Sequence, residues 1–241
     1  MERHQNLTMT VAQTIGRAIA TGVYPPGTSL PPEKDLVVQF NASRTVLREA
    51  VKMLSAKGLV DTRPRRGTMV RPEGDWSLAD PDLLGWLLHR RNVLPLILEF
   101  ADARLAIEPA AAGLAARVGD PGSLEEIETA LQRMIDAETG NDDSLEADIA
   151  FHVAILKASN NRFFWSLRHM VEVALRFSIR ITNMRRHGQG PSIAAHNRVL
   201  QAIKAGDQQA AESALRALIV ESKTLLYEAH EKEDGPPSEA G

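Results

Sequence analysis

The chain is predicted to be mainly α, with an N-terminal winged helix-turn-helix followed by a C-terminal all-α antiparallel helical bundle. Three observations predict this. Residues 25–67 read as a helix, a tight turn, a second helix and a hairpin tipped by Arg63-Pro64-Arg65-Arg66-Gly67, whereas from about residue 94 onward the apolar spacing is almost wholly helical. The charge divides at the same place. Residues 1–75 carry 11 basic and 7 acidic side chains, a net +4, and the remainder is net −7. A basic head on an acidic body meets a polyanion by one face only.

At 241 residues and 44% apolar content the chain is long enough for two domains, each with its own core. It has no cysteine, which excludes disulfides and thiolate metal sites and leaves histidine and carboxylates as the only ligands for a metal. No apolar run reaches the roughly 18 residues of a membrane span, and the N-terminus lacks a signal-peptide core. A soluble, cytoplasmic protein without a membrane partner is expected.

Taken in order, the spacing of Val11, Ile15, Ala18 and Ile19 predicts a first helix over residues 9–21, stopped by Gly22. A second helix starts around Pro32, where the missing N–H is no loss, gains from Glu33 and Asp35 in its first turn, and ends near Phe40. Asn41-Ala42 makes the turn. Ser43 is the expected N-cap of a third helix over 44–56, closed by Gly58, with Val46, Ala50, Met53 and Leu54 inward and Arg44, Thr45 and Arg48 on the other face. Strands over 59–62 and 68–70 flank the basic wing. Residues 1–75 therefore form the expected head, and 76–93 a linker with a short helix over 82–89 containing Trp86. Breaks at Gly119–Gly122, Gly140–Asp143, Ser159–Asn161, Gly188–Pro191 and Gly206-Asp207 cut residues 94–230 into six or seven helices, and 231–241 is expected to be a disordered tail.

Two groups of residues carry chemistry. Arg44 and Arg48, one turn apart with Thr45 between them, can reach base edges and phosphates from a helix that fits the major groove, and the wing can lie along the backbone. In the body, Asp148 and His152 share a helix face at i, i+4, and His196 opens a later helix. A carboxylate with imidazoles suits a divalent ion such as zinc, nickel or manganese. An Asp–His hydrogen bond within the helix explains the same spacing. An anionic small molecule would need a buried cation, for which Arg104 leads and Arg176 with Arg180 follows; a salt bridge is the plainer reading of each. No general base stands at an evident fixed position, so an enzyme is not expected.

The head resembles the GntR family of bacterial transcription regulators. The matching residues are Tyr24-x-Pro26-Gly27, Leu30-Pro31-x-Glu33-x-x-Leu36, Ser43-Arg44-x-x-x-Arg48-Glu49-Ala50, Gly58-Leu59 and Arg66-Gly67-x-x-Val70. The resemblance implies that Lys34, Ser43, Arg44, Thr45, Arg48, Arg65, Arg66 and Gly67 are the DNA-binding residues. The body, with Arg104, Glu108-Pro109, Asp148-x-x-Phe151-His152, His196-x-x-x-Leu200 and Asp207-x-x-x-Ala211, is similar to the FadR-type effector domain called FCD. Many such domains hold a metal through Asp and three His. Here Asp148, His152 and His196 match, and Leu218 stands where those relatives have the fourth ligand. The resemblance implies a homodimeric repressor that binds double-stranded DNA at an inverted-repeat operator and responds to a small carboxylate. The segment Asp80-Pro81-Asp82-Leu83-Leu84-Gly85-Trp86 is similar to regulators of sugar-acid catabolism, which makes a hexonate the expected effector. Lactate, pyruvate or a dicarboxylate satisfies the same chemistry, and an architectural DNA-binding dimer without effector is the alternative.

Overall fold

In the computed structural model, which describes residues 2–63, 66–185 and 192–233, the first helix, α1, spans Glu2–Ala20 and so begins seven residues before the expected start at 9. Thr10 and Thr14 turn their hydroxyls back to the carbonyls of Asn6 and Thr10, at 2.9 and 2.8 Å, and remain inside the helix instead of capping it. α2 spans Glu33–Gln39, with Pro32 as N-cap, one residue outside the helix. Asn41, at φ 46, makes the left-handed turn into α3, Arg44–Ala56. The Ser43 hydroxyl accepts from the Val46 amide at 3.2 Å, as its type and place predict.

Ile15 and Ile19 of α1 and Leu47 and Leu54 of α3 are among the largest fully buried side chains. Burying each contributes about 1.5–3 kcal/mol. Leu59 donates its amide to the Leu54 carbonyl at 3.0 Å, so it closes α3 rather than opening the wing. The wing is β1, Val60–Arg63, antiparallel to β2, Gly67–Val70, with Val60 opposite Val70 and Arg63 opposite Gly67. Each strand is thus one residue off the expected span. Residues 27–30 lie along β2 through Gly27 N–H to Val70 O at 2.9 Å and Leu30 N–H to Thr68 O at 2.8 Å.

Residues 1–93 make one compact unit and 94–241 the other. Residues 76–93 belong to the same compact unit as the head. Their helix, α4, spans Pro81–Leu87, capped by Asp80, which accepts from the Leu83 amide at 3.0 Å. Trp86 lies against α1 at Gly16, so closely that a Cβ on Gly16 would meet its ring at 2.2 Å.

The second unit contains seven helices among the described residues: α5 Leu94–Val118, α6 Pro121–Glu138, α7 Ser144–Ala158, α8 Arg162–Ser166, α9 Arg168–Arg185, α10 Ile193–Lys204 and α11 Gln208–Glu233. α11 carries the helix to residue 233, past the expected end at 230, and 234–241 lies outside the described residues. α5 is buried along most of its length and holds Pro109 in its interior. A proline there removes one helical hydrogen bond and frees the carbonyl four residues back. That carbonyl, on Leu105, accepts instead from Arg216 of α11 at 3.4 Å. Small residues let α5 and α11 approach each other: a Cβ on Gly113 would stand 2.3 Å from the Glu212 carboxylate. Phe151, Ile155 and Leu156 of α7, Ile127 and Met134 of α6 and Ile97 of α5 fill the core.

Candidate functional site

In the head, the Ser43 cap leaves the first turn of α3 open to solvent. Arg44, Thr45 and Arg48 are all exposed, while Val46, Leu47, Ala50 and Leu54 fix the opposite face in the core. Lys34 of α2 and Arg66 and Gly67 of the wing are exposed as well. Gly67 has φ 76, which a side chain would strain. Arg65 lies outside the described residues. Glu33 reaches Arg48, with its carboxylate 3.4 Å from Nη2 and 3.5 Å from Nε. The pair is well exposed, and such pairs contribute only about 0–1 kcal/mol. Arg48 can therefore exchange Glu33 for a phosphate or base at small cost.

In the bundle, α5, α7 and α10 bring five charged or ionisable side chains into the core: Arg104, Glu108, Asp148, His152 and His196, none more than 5% exposed. Asp148 Oδ1 lies 3.4 Å from His152 Nε2 and 3.3 Å from His196 Nε2. One ligand atom from each of the three lies within 4.8 Å of the others. The helix spacing thus supplies two of them, and α10 the third from 44 residues along the chain. Phe151 walls the site, its ring edge-on to His196 at 5.0 Å between centroids.

The outer nitrogens decide what the inner ones can do. His196 Nδ1 sits 2.9 Å from the Ser192 carbonyl, which can only accept, so Nδ1 carries the proton. His152 Nδ1 sits 2.7 Å from Glu108 Oε2. Burial, the largest influence on Glu108, pushes its pKa up, but the charges of Arg104 and His152 and their hydrogen bonds outweigh it and bring the value to about 2. Glu108 is therefore an acceptor, and His152 Nδ1 the donor. With both imidazoles neutral, two Nε2 lone pairs and the Asp148 carboxylate converge, and Arg104 Nη2 stands 3.3 Å from the Nε2 of His152. A cation in their midst, or imidazolium protons, resolves that arrangement.

With the imidazoles in their charged form instead, Asp148 is held well below the ordinary carboxylate range: burial would raise it most, and hydrogen bonds from His152 and His196 with their charges prevail. His152 moves upward, because the charge of Glu108 and hydrogen bonds to Asp148 and Glu108 overcome its burial and the repulsion of Arg104. The cavity beside these groups measures about 20 Å³ and is also lined by Thr182, Ser192, Leu218, Glu221 and Ser222. That is room for one water or one ion.

The two candidate effector cations already have carboxylate partners. Arg104 is not a cation waiting for an anion: its Nε and Nη2 donate to Glu108 at 2.6 and 3.2 Å, and Nη2 lies 3.3 Å from both ring nitrogens of His152. Arg176 does not line the buried cavity. It pairs with Glu146 and lines an open groove of about 990 Å³ that includes Arg133, Lys157 and Trp165. Glu108 is the residue that spacing missed. It was visible beside Pro109, but its partner lies 44 residues away on another helix.

Comparison with known proteins bears on both parts. Residues 7–70 match the bacterial regulatory proteins of the gntR family, and residues 99–221 match the FCD domain. The chain belongs to the GntR family, with an FCD domain as its second part. It is similar to YieP of Escherichia coli K12, an uncharacterised HTH-type transcriptional regulator, at 36% identity over 89% of this chain and 93% of YieP. It is also similar to the galactonate operon transcriptional repressor of the same organism, at 33% identity over 92% of this chain and 98% of the repressor. A GntR protein of Streptococcus agalactiae superposes with a TM-score of 0.50 at 23% identity, covering 90% of this chain and 99% of that one. A Listeria monocytogenes protein, Lar, does so with a TM-score of 0.55 at 19% identity, covering 92% and 96%. Those two likenesses bear on the fold alone. This GntR regulator is a DNA-binding transcription factor and not an enzyme. Among its described residues no helix is long and apolar enough to cross a membrane.

Proposed function

We propose that this GntR regulator is a cytoplasmic, homodimeric repressor whose bundle holds one divalent metal on Asp148, His152 and His196, and which a small carboxylate releases from an inverted-repeat operator. The observation that carries the reading is the convergence of three buried acceptors, two Nε2 atoms and one carboxylate oxygen, on a space of ion size. Zinc, nickel and manganese all accept such a set. With Leu218 beside the cavity, three protein ligands leave a coordination position for water or for the carboxylate and hydroxyls of an effector. A metal held by Asp148, His152 and His196 would supply Lewis-acid attraction for that carboxylate. Elemental analysis of protein purified under metal-replete conditions is expected to give about one metal per chain, lost in His152→Ala; protein free of stoichiometric metal would refute the site.

A hexonate is the proposed effector, supported by the 33% identity to the galactonate repressor over nearly the whole chain. A second reading takes a smaller acid. The cavity of about 20 Å³ must open less for lactate or pyruvate than for a six-carbon acid, and a putative L-lactate dehydrogenase operon regulator of Escherichia coli is 31% identical over 79% of this chain. A thermal-shift panel of hexonates, lactate, pyruvate and dicarboxylates separates the two. A shift with the short acids and none with any hexonate would favour the second.

In the head, the α3 helix of each protomer is proposed to enter one major groove, with Arg44, Thr45 and Arg48 at base edges and Lys34, Arg65, Arg66 and Gly67 along phosphates. Arg44→Ala is expected to cost about 1–3 kcal/mol of operator binding, and Arg66→Ala to reduce the slope of log K against log salt by about 1. Anisotropy titrations on the promoter beside its own gene measure both. Variants of Arg44 and Arg48 that bind as the parent does would remove α3 from the reading role.

A further inference from the structure

We propose that Glu108, clamped by Arg104, is the positioning residue of the buried site: it holds His152 by Nδ1–H so that Nε2 faces Asp148 and His196. This rests on the metal reading above and assigns a task to two residues that the ligand set leaves out. A buried ionised carboxylate is costly unless paired and fully hydrogen-bonded. Glu108, 1% exposed, meets that condition on both oxygens: Oε1 accepts from Arg104 Nε at 2.6 Å, and Oε2 accepts from Arg104 Nη2 at 3.2 Å and from His152 Nδ1 at 2.7 Å. The clamp is rigid by construction. Arg104 and Glu108 are one turn apart on α5, so the helix itself holds the guanidinium against the carboxylate.

Such an acceptor does two things for an imidazole. It fixes the tautomer, leaving the Nε2 lone pair for the inner side, and it fixes the ring plane. His152 needs this more than His196, whose Nδ1 is already held by the Ser192 carbonyl of its own helix start. The second consequence concerns Arg104. With two nitrogens committed to Glu108, its charge is matched inside the protein.

The test uses full-length protein, zinc competition against a chromophoric chelator, and long-range proton–nitrogen spectra of histidine-labelled protein, with the His152 signals assigned from their loss in His152→Gln. In the parent, His152 Nδ1 is expected to keep its proton in both metal-free and zinc-loaded protein. Glu108→Ala is expected to weaken zinc about 10–100-fold and to release that tautomer, while Glu108→Gln, which keeps an acceptor oxygen, recovers most of both. Where Glu108→Ala does not fold, the apolar pair Arg104→Met with Glu108→Leu removes the acceptor together with its buried counter-charge and gives the same comparison. A parent in which His152 carries its proton on Nε2, or a folded Glu108→Ala that binds zinc as tightly as the parent, overturns the proposal. Failure of the parent to bind zinc while His152 Nδ1 stays protonated refutes the metal reading and leaves the positioning contact standing.

Discussion

Leu218 is one side chain with a large expected effect. It lines the cavity beside Asp148, His152 and His196 at the place where the FCD resemblance expects a fourth ligand. Leu218→His would offer a further imidazole at a site already carrying two. We expect it to tighten zinc by at least about tenfold, the effect of a gain of roughly 1.4 kcal/mol, and to blunt the effector response by occupying the open position. Chelator competition and the thermal-shift panel measure the two effects, and unchanged zinc affinity would place position 218 off the coordination sphere. At this scale the sequence was informative where function depends on neighbours along the chain. Ser43 as cap and Asp148 with His152 follow from spacing alone. The partners of Arg176 and His152 did not follow in the same way. Arg176 meets Glu146 from 30 residues away and His152 meets Glu108 from 44, distances at which only the packing of helices decides who is adjacent.

Among the elements, α4 is the one whose role the sequence obscured. Trp76, ahead of it, and its own Trp86 suggest packing, but not how tightly the segment is tied to the head. Trp76 donates Nε1–H to the Arg71 carbonyl at 3.1 Å, and Arg90 donates to the Ala20 carbonyl at 2.6 Å. Gly16 makes the closest approach. In an exposed helix interior, Gly→Ala gains about 0.5–1 kcal/mol; here the new methyl would meet the Trp86 ring at 2.2 Å, and overpacking of this kind costs about 1–3 kcal/mol. The clash outweighs the propensity. Gly16→Ala is therefore expected to lower the Tm of the head, and a rise in Tm would contradict the docked position of Trp86.

Lys57, at the C-cap of α3, binds the same segment. Its Nζ reaches both oxygens of Asp80 at 2.8 and 2.7 Å and Asp82 at 2.8 Å. Burial, the largest influence, lowers its pKa, but the two aspartates prevail and hold it above the ordinary 10.5. A base raised in this way contributes stability that is complete below its unfolded pKa and is lost as pH rises through the folded one. The difference in Tm between the parent and Lys57→Met should stay level through neutral pH and shrink above about 10.5. A difference that shrinks between about pH 6 and 9 would point to another group.

For the whole molecule, the two-part reading by charge agrees with the two families matched, gntR over 7–70 and FCD over 99–221. Regulation requires that the effector bind one state of the protein more tightly than another, because a ligand with equal affinity for both shifts nothing. Couplings of about 1–3 kcal/mol are usual and amount to about 5–150-fold in DNA affinity. The central claim is that the buried Asp148, His152 and His196 cluster is the input and exposed α3 the output. Operator-DNA anisotropy with hexonate and shorter acids, run on metal-loaded and on metal-stripped protein, tests it most directly. The account predicts that one of these acids weakens DNA binding within that range only when metal is present; DNA affinity that no small carboxylate alters, with metal or without, would contradict it.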